Sequence, residues 1–253
     1  MSQNSQLRFS IVIPCFNEGS YITHAIKSLK KQNFDDEYEI IIVDNNSTDK
    51  TAEIAKSLGV KVVSEKKAGV CYARQKGTEV ASGEIIISTD ADSTFDTNWL
   101  KNIDHTFKQS DDIVAVVGPF TYNGGPVWGA YADLLFNILG LIYKFTGRVL
   151  YSPAANLSFK KSAWEGYNTT MTQYGDEMDQ LRKLRKKGKV VFKPNITVKT
   201  SARRLQKGLL YNIFISLLVY SILEYNLNRM FKRRFFGQAP HFVEEPETDK
   251  SYI

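Results

Sequence analysis

Two short acidic clusters that follow strongly apolar runs constrain the fold of this chain more than any other feature. Asp44 follows the run Glu39–Val43, and the cluster Asp90–Asp92 follows Glu84–Thr89. A β-branched run that stops at carboxylates is typical of a buried parallel strand whose C-terminal end opens into a ligand crevice. Two carboxylates one residue apart can hold a hard divalent cation, and that cation can hold a diphosphate.

The first third of the chain alternates strand-like and helix-like segments. The strand candidates are Phe9–Pro14, Glu39–Asp44, Lys61–Ser64 and Glu84–Asp90, and helix candidates cover residues 19–31, 47–58 and 68–81 between them. This alternation predicts βαβ units and an α/β fold with a Rossmann-like, mostly parallel central sheet flanked by helices. Beyond it we expect helices over 97–109 and 176–187, strands over 113–118, 153–159 and 190–192, and a turn-rich loop over 122–126.

The C-terminal part of the chain predicts an amphipathic helical extension. Within Gln206–Phe235 the polar residues recur every fourth position, at Asn212, Ser216, Tyr220, Glu224 and Asn228. A helix that spans a bilayer would need about twenty apolar residues without such a stripe. Attachment to the membrane surface is therefore favoured, and packing on the chain's own core is the alternative. For the apolar segment Trp128–Phe145 the sequence likewise does not decide between contact with a membrane, with a partner and with the chain's own core.

Charge and cysteine content narrow the class of protein. The net charge is +6, and Arg182–Lys207 holds eleven Lys and Arg residues without Asp or Glu, which predicts contact with phosphate groups. Nucleic-acid binding is disfavoured because aromatic residues do not interleave with these charges. Cys15 and Cys71 lie in apolar stretches and indicate buried reduced thiols. With a polar N-terminus as well, the chain is expected to be cytoplasmic, peripheral on the membrane's cytoplasmic face.

Four motifs in order carry a family resemblance. They are Ile11–Glu18, Val43–Thr51, Ala68–Gly77 and Asp90–Asp92. Together they resemble the nucleotide-sugar half of family 2 glycosyltransferases, which are inverting enzymes of the GT-A fold. The resemblance is close over about the first hundred residues and loose over the next hundred. It implies transfer of a sugar from a UDP or GDP donor to a glycan or lipid-linked acceptor, assisted by Mn²⁺ or Mg²⁺.

This resemblance gives the domain prediction and the donor-site residues. We expect a catalytic domain over 1–200, divided into halves at about 8–95 and 96–200, then the helical extension over 201–236 and a loose tail over 237–253. The predicted nucleotide-sugar contacts are Pro14, Asn17, Glu18, Asp44, Asn46, Arg74, Asp90, Ala91 and Asp92.

The residue chemistry supports several of these contacts independently. Pro14 would end the first strand and leave Asn17 and Glu18 free to hydrogen-bond a base or ribose. Asp44 could contact the nucleotide or cap the next helix. Arg74 matches the family's Ala-Arg-Asn segment, but a helix-surface role is an equal alternative.

The metal and base assignments also follow from the resemblance. Asp92 is expected to ligate the divalent cation, while Asp90 contacts ribose or supports the metal through water. Inversion needs a base that takes the acceptor's proton. By position Glu177 matches the family's base, with Asp176 as the alternative. A structural alternative is that the two acids only offset the dipole of a helix N-terminus.

The remaining site predictions concern the diphosphate and the acceptor. Asn156 is a candidate acceptor or sugar contact, and a turn amide is an equal alternative. Arg203 and Arg204 could close over the diphosphate because guanidinium groups suit bidentate phosphate contact. The Gln-x-x-Arg-Trp motif of processive synthases is absent, which favours single addition. The oligomeric state stays open, a dimer included.

The sequence leaves two other functions open and disfavours a third. A polyprenyl-phosphate glycosyltransferase would need no base, and a membrane-recruited scaffold would keep the fold without turnover. A nucleotidyltransferase is disfavoured because the first strand is not followed by a Gly-rich, Arg- or Lys-bearing loop.

Overall fold

A central sheet of seven strands organises the structure, a computed structural model that describes residues 7–123, 126–169 and 176–203, together with Leu227 and Met230. The strands in these ranges are β1 Phe9–Cys15, β2 Tyr38–Asp44, β3 Lys61–Ser64, β4 Ile85–Ser88, β5 Ser93–Phe95, β6 Ile113–Val117, β7 Phe120–Asn123, β8 Leu157–Lys160, β9 Lys189–Phe192 and β10 Val198–Ser201. The central sheet has the order β3-β2-β1-β4-β8-β6-β9, and a smaller sheet has the order β5-β10-β7.

The central sheet is parallel except for β8, which pairs antiparallel with both β4 and β6. The helices are α1 Ile22–Leu29, α2 Thr51–Ser57, α3 Val70–Val80, α4 Trp99–Phe107, α5 Pro126–Thr146 and α6 Asp176–Arg185. The predicted mostly parallel α/β sheet is therefore confirmed.

Alternating residues of each strand supply two hydrophobic cores, one on each face of the sheet. Ile11 and Ile13 of β1 join the core that α1 and α4 cover, whereas Val12 joins the core on the face of α3, α5 and α6. Helix α3 crosses β1 closely because Gly77 has no side chain; a Cβ there would lie 2.3 Å from Val12 Cγ1. Helices on both faces explain why these strands are nearly uninterrupted apolar runs.

Some sequence predictions at the level of single elements were wrong. The helix expected from residue 47 begins at Thr51, so Ser47 is not its cap. The strands β5, β7 and β10 were not predicted, and Tyr122 of the expected turn-rich loop lies in β7. These three strands contain no two adjacent aliphatic residues, whereas the equally short β3 was predicted from its Val62–Val63 pair.

The first strand runs through Pro14 to Cys15, one residue beyond its predicted end. The carbonyl of Val12 accepts a hydrogen bond from Thr89 on the β4 side, and residue 14 faces the same side. Pairing with β4 stops at Val12, so the missing N–H of Pro14 interrupts no ladder.

Helix α5 contains the apolar segment Trp128–Phe145, for which the sequence does not distinguish packing on the core from contact with a membrane. Ala132 and Phe136 are buried in the core, while Leu134, Leu141 and Phe145 are exposed. Among the described residues, no helix combines the length and apolarity needed to cross a bilayer. Of the helical extension predicted over 201–236, the structure describes residues 201–203, Leu227 and Met230, and Ser201 belongs to strand β10. The rest of the extension and the tail lie outside the described residues, so this part of the domain division stays a prediction.

Candidate active site

The carboxyl ends of β1, β2 and β3 meet at one edge of the sheet. Asp44 is level with Cys15 on one side and Ser64 on the other. The Ser47 amide donates to Asp44 Oδ1 at 3.3 Å, and α2 begins only at Thr51. Asp44 therefore does not cap α2, and its half-buried carboxylate stands at the crevice edge, where a nucleotide contact is expected.

Asn17 and Asn46 brace the loops around this edge. Both adopt positive φ, at 55° and 67°, which Asn tolerates better than most residues. Asn17 Oδ1 accepts from the Thr48 amide at 2.8 Å, and Asn46 Nδ2 donates to the Lys66 carbonyl at 3.1 Å. These bonds tie adjacent loops together, so the side chains help to shape the crevice.

Two further residues at this edge, Asn45 and Phe16, were not predicted as site residues from the sequence. Asn45 is buried; its Nδ2 donates to the carbonyls of Glu65 and Lys67, and its Oδ1 accepts from Gly69 N at 2.7 Å. It fixes the loop before α3. Phe16 directly follows β1 and is 56% exposed, so it offers an aromatic face beside the edge that holds Asp44. An aromatic residue one position beyond a buried strand was the available signal for Phe16.

Arg74 links the donor side of the crevice to the acidic pair at the start of α6. Its Nη2 lies 3.1 Å from Asp90 Oδ1, its Nη1 lies 2.5 Å from Asp176 Oδ2, and Glu177 Oε1 is 3.6 Å from Nη1. The Arg74 side chain is only 5% exposed, so the helix-surface alternative is wrong. Burial lowers the pKa of Arg74, but the carboxylates outweigh this effect and the net pKa is raised.

The acidic pair has an uneven environment. The Asp176 side chain is fully buried against Arg74, whereas that of Glu177 retains 20% exposure. Burial and the neighbouring charge of Asp176 raise the pKa of Glu177 well above its usual range, and Arg74 opposes them. A partly exposed carboxyl with a raised pKa is suited to accept a proton near neutral pH.

Asp179, on the same helix, pairs with Lys183 at 2.8 Å, since residues four positions apart are neighbours on a helix surface.

Asp92 lies beside β10 of the smaller sheet. The Ser201 amide donates to the Asp92 carbonyl, and Thr200 Oγ1 lies 3.1 Å from Asp92 Oδ1. Arg203 Nε lies 3.1 Å from Asp92 Oδ2, and its Nη2 lies 2.6 Å from Glu18 Oε1. The strand β10 thus brings Arg203 to Glu18 and Asp92, which precede it along the chain by 185 and 111 residues, respectively.

The residues present fit a divalent cation. Asp90 and Asp92 offer hard carboxylate oxygens, the donor type that Mn²⁺ and Mg²⁺ prefer, and both already face guanidinium groups, which shows that the site favours positive charge. Among the described residues there is no group of three His, Cys, Asp or Glu side chains placed to hold a metal. Phosphate oxygens and water would complete the coordination of a cation held by Asp92. Ala91 between the two carboxylates is buried.

Asn156 departs from the expected acceptor contact. Its side chain is buried; Nδ2 donates to the carbonyls of Pro119 and Ile196, and Oδ1 accepts from Trp99 Nε1 at 3.3 Å. The amide is engaged within the protein and joins the two sheets.

Arg204, the second predicted diphosphate contact, lies outside the described residues.

These features define an α/β nucleotide-binding fold with an acidic crevice at the carboxyl edge of its sheet. The family model described as "Glycosyl transferase family 2" matches residues 10–167. The chain therefore belongs to glycosyl transferase family 2.

Two curated relatives illustrate the sequence similarity. Glycosyltransferase GlyG of Streptococcus pneumoniae is 30% identical over 120 residues, which are 45% of this chain and 40% of that protein. A dolichyl N-acetyl-α-D-glucosaminyl phosphate 3-β-D-2,3-diacetamido-2,3-dideoxy-β-D-glucuronosyltransferase of Methanococcus voltae is 34% identical over 108 residues, which are 40% of this chain and 34% of that protein. The matched region spans well under half the length of either relative.

Solved structures confirm the GT-A fold. TarS of Staphylococcus aureus superposes with a TM-score of 0.64 at 19% identity and covers 89% of this chain and 72% of its own. The mannosyltransferase PcManGT of Pyrobaculum calidifontis, in complex with GDP-Man and Mn²⁺, gives a TM-score of 0.67 at 18% identity, with 92% and 66% covered.

Proposed function

We propose that this protein is a metal-assisted inverting glycosyltransferase that moves a sugar from a UDP- or GDP-sugar to a hydroxyl of a glycan or lipid-linked acceptor, one sugar at a time. The observation that carries the proposal is the single charged network through Arg74, which joins Asp90 at the donor edge to Asp176 and Glu177. A donor-binding carboxylate and a candidate base on opposite sides of one guanidinium suit displacement at an anomeric carbon.

Each residue then has a distinct task. Asp44 accepts hydrogen bonds from the nucleoside, and Phe16 offers a face for the base. Asp92, supported by Asp90, holds the divalent cation, which when bound stabilises the negative charge of the diphosphate leaving group. Glu177 accepts the proton of the attacking hydroxyl while Arg74 orients Asp176 beside it. Arg203 contacts the diphosphate.

The comparisons support the choice of donor and acceptor class. Structures of TarS contain UDP or UDP-GlcNAc, and PcManGT contains GDP-Man and Mn²⁺. The names of several relatives specify lipid-linked or polymeric acceptors, among them a glucosyl-dolichyl phosphate glucuronosyltransferase and a poly(ribitol-phosphate) β-N-acetylglucosaminyltransferase. We therefore propose the same donor and acceptor classes for this chain.

Calorimetric titration with UDP and with GDP, each with and without Mn²⁺, tests this proposal. We expect one nucleotide to bind in the presence of the metal, and Asp92→Ala to weaken that binding at least about tenfold because the cation loses its carboxylate. Asp111→Ala is the matched control, since Asp111 is exposed at the opposite edge of the sheet and should bind like wild type. If the folded wild-type protein binds neither nucleotide, the proposal is wrong.

Helix α5 supports a membrane-surface location within this proposal. Its outer face carries Leu134, Ile138, Leu141 and Phe145 at spacings of three and four residues, and all four are exposed. Lys144 of the same helix is also exposed and would contact anionic lipid head groups. The occupant we propose for this face is an anionic membrane surface, where a lipid-linked acceptor would be found.

We expect Ile138→Asp to weaken binding to phosphatidylglycerol vesicles by roughly tenfold, because a charge on the apolar face resists burial in the lipid interface. The unfolding temperature should not change, since Ile138 is 48% exposed. Flotation of the protein with vesicles measures the effect. Asn137→Asp adds the same charge beside the apolar face and is the control; equal binding by all three proteins would reject the membrane assignment.

A further inference from the structure

The guanidinium of Arg203 lies against Asp92, the predicted metal ligand, where a metal cation would be expected. Its guanidinium contacts Asp92 Oδ2 at 3.1 Å and Glu18 Oε1 at 2.6 Å, and it lies 4.5 Å from the centre of the Tyr21 ring. The Arg203 side chain is 18% exposed, and those of Asp92 and Glu18 are 4% and 14% exposed. An ion pair this sheltered is screened less by salt than a surface pair.

Both carboxylate oxygens of Asp92 are engaged. Thr200 Oγ1 contacts Oδ1, and Arg203 Nε contacts Oδ2. A divalent cation that binds this carboxylate would stand within a few ångströms of the guanidinium, where two positive charges repel each other strongly. The cation and Arg203 cannot both keep close contact with Asp92 Oδ2.

We propose that Arg203 is the internal counter-cation of Asp92, which a divalent metal displaces, and that the displaced guanidinium then binds the diphosphate of the donor. This inference rests on the proposed function and deepens it. Arg203 has a second anchor in Glu18 and a ring to lie against in Tyr21, so it can leave Asp92 while it stays at the crevice. It follows Ser201, the last residue of β10, by two positions, and its amide donates to Ser201 Oγ at 3.2 Å instead of to a neighbouring strand.

The exchange predicts effects of opposite sign in two binding measurements. Removing the guanidinium should make Asp92 easier for Mn²⁺ alone to reach, so the affinity for the metal should rise. The same change should lower the affinity for the Mn²⁺-nucleotide complex, because a charge-assisted contact with phosphate is lost. A residue that merely supports the local structure would lower both affinities or neither.

The test uses the full chain with Arg203→Gln, Arg203→Lys and, as a control, Arg182→Gln. Arg182 pairs with Asp179 on the exposed side of α6. Free Mn²⁺ is measured by electron paramagnetic resonance, and UDP and GDP are then titrated at saturating Mn²⁺. We expect Arg203→Gln to bind Mn²⁺ alone roughly fivefold more tightly, corresponding to one partly buried ion pair, and to bind the nucleotide about tenfold more weakly. Arg182→Gln should match wild type in both.

Thermal unfolding establishes that each variant is folded, and Arg203→Lys, which keeps the charge, should bind Mn²⁺ nearly as wild type does. If folded Arg203→Gln binds Mn²⁺ no more tightly than wild type, the inference is overturned. It is also overturned if Asp92→Asn binds Mn²⁺ as tightly as the wild-type protein does. If Arg203→Gln gains Mn²⁺ affinity but no protein binds UDP or GDP, the exchange at Asp92 stands and the proposed function fails.

Discussion

Glu177→Gln should keep the affinity for the donor nucleotide and lower transfer to a hydroxyl acceptor by roughly 10²–10⁴-fold, the usual contribution of a general base. Glutamine has the same shape but cannot accept the proton. Glu177 is close to Arg74 yet does not touch Asp90 or Asp92 in any described contact, so the donor edge should be unaffected. The measurement compares the steady-state transfer rates of wild type and Glu177→Gln, with the donor that calorimetry identifies. The binding constant of that donor is measured for both proteins.

The pH profile gives an independent check of the same residue. Burial and Asp176 raise the pKa of Glu177, and the base must be deprotonated to act, so kcat/KM should rise with pH through that raised pKa rather than near the ordinary value of glutamate. This limb of the profile should disappear in Glu177→Gln. Glu53→Gln, on the exposed side of α2, is the matched control and should retain the limb.

The outcome also separates two kinds of acceptor. A transferase that attacks with a phosphate oxygen, as for a polyprenyl phosphate, has no proton to remove and should tolerate Glu177→Gln. Full activity of the variant toward a lipid phosphate, with no activity toward hydroxyls in the wild type, would reject the hydroxyl acceptor and favour the polyprenyl-phosphate enzyme. If both proteins bind the donor but the wild type transfers sugar to no acceptor, the result would favour the membrane-recruited scaffold.

Arg74→Met should cause the largest loss of stability of any single substitution discussed here. Removing the guanidinium leaves the carboxylates of Asp176 and Asp90 without their buried cation, and breaking such a pair from one side costs about 3–5 kcal/mol. For a domain of this size the unfolding temperature should fall by roughly 10 °C. Arg74→Lys should lie between Met and wild type because lysine keeps the charge but not the forked geometry.

The pH dependence of this loss has a definite sign. In the wild type Arg74 holds down the pKa of Glu177 against burial, so its removal should raise that pKa further. A carboxyl whose folded pKa exceeds its unfolded value costs stability as pH rises through the window between the two values. The deficit of Arg74→Met should therefore be larger at pH 8 than at pH 5.

Thermal unfolding at both pH values measures this difference. Arg182→Met removes an exposed ion pair and should cost under about 1 kcal/mol at either pH. A deficit for Arg74→Met no larger than this control would show that Arg74 is not a buried bridge.

The sequence predicted the parts of this protein that depend on local pattern. The apolar runs before Asp44 and Asp90 predicted parallel strands because burial on both faces of a sheet demands such runs. Arg74 was ambiguous because only the tertiary fold brings Asp176, 102 residues away, to its guanidinium. The place of Arg203 beside Asp92 depends on β10, a short strand that contains a single apolar residue, Val198, and therefore no apolar run from which to predict it.

Asn156 was ambiguous for a related reason. An Asn before a strand has the same appearance whether it contacts a substrate or a backbone. Its three buried partners belong to Trp99, Pro119 and Ile196, which are between 37 and 57 residues away. A single sequence cannot reveal such distant partners.

The antiparallel strand β8 has a consequence for how the protein could change over evolutionary time. It enters the sheet between β4 and β6, so the half that holds Asp44, Asp90 and Asp92 is completed by residues 157–160 from the other half. The nucleotide half is thus not a portable module that could be exchanged whole between proteins. Because β8 is paired with both β4 and β6, the two halves cannot separate without breaking this antiparallel ladder.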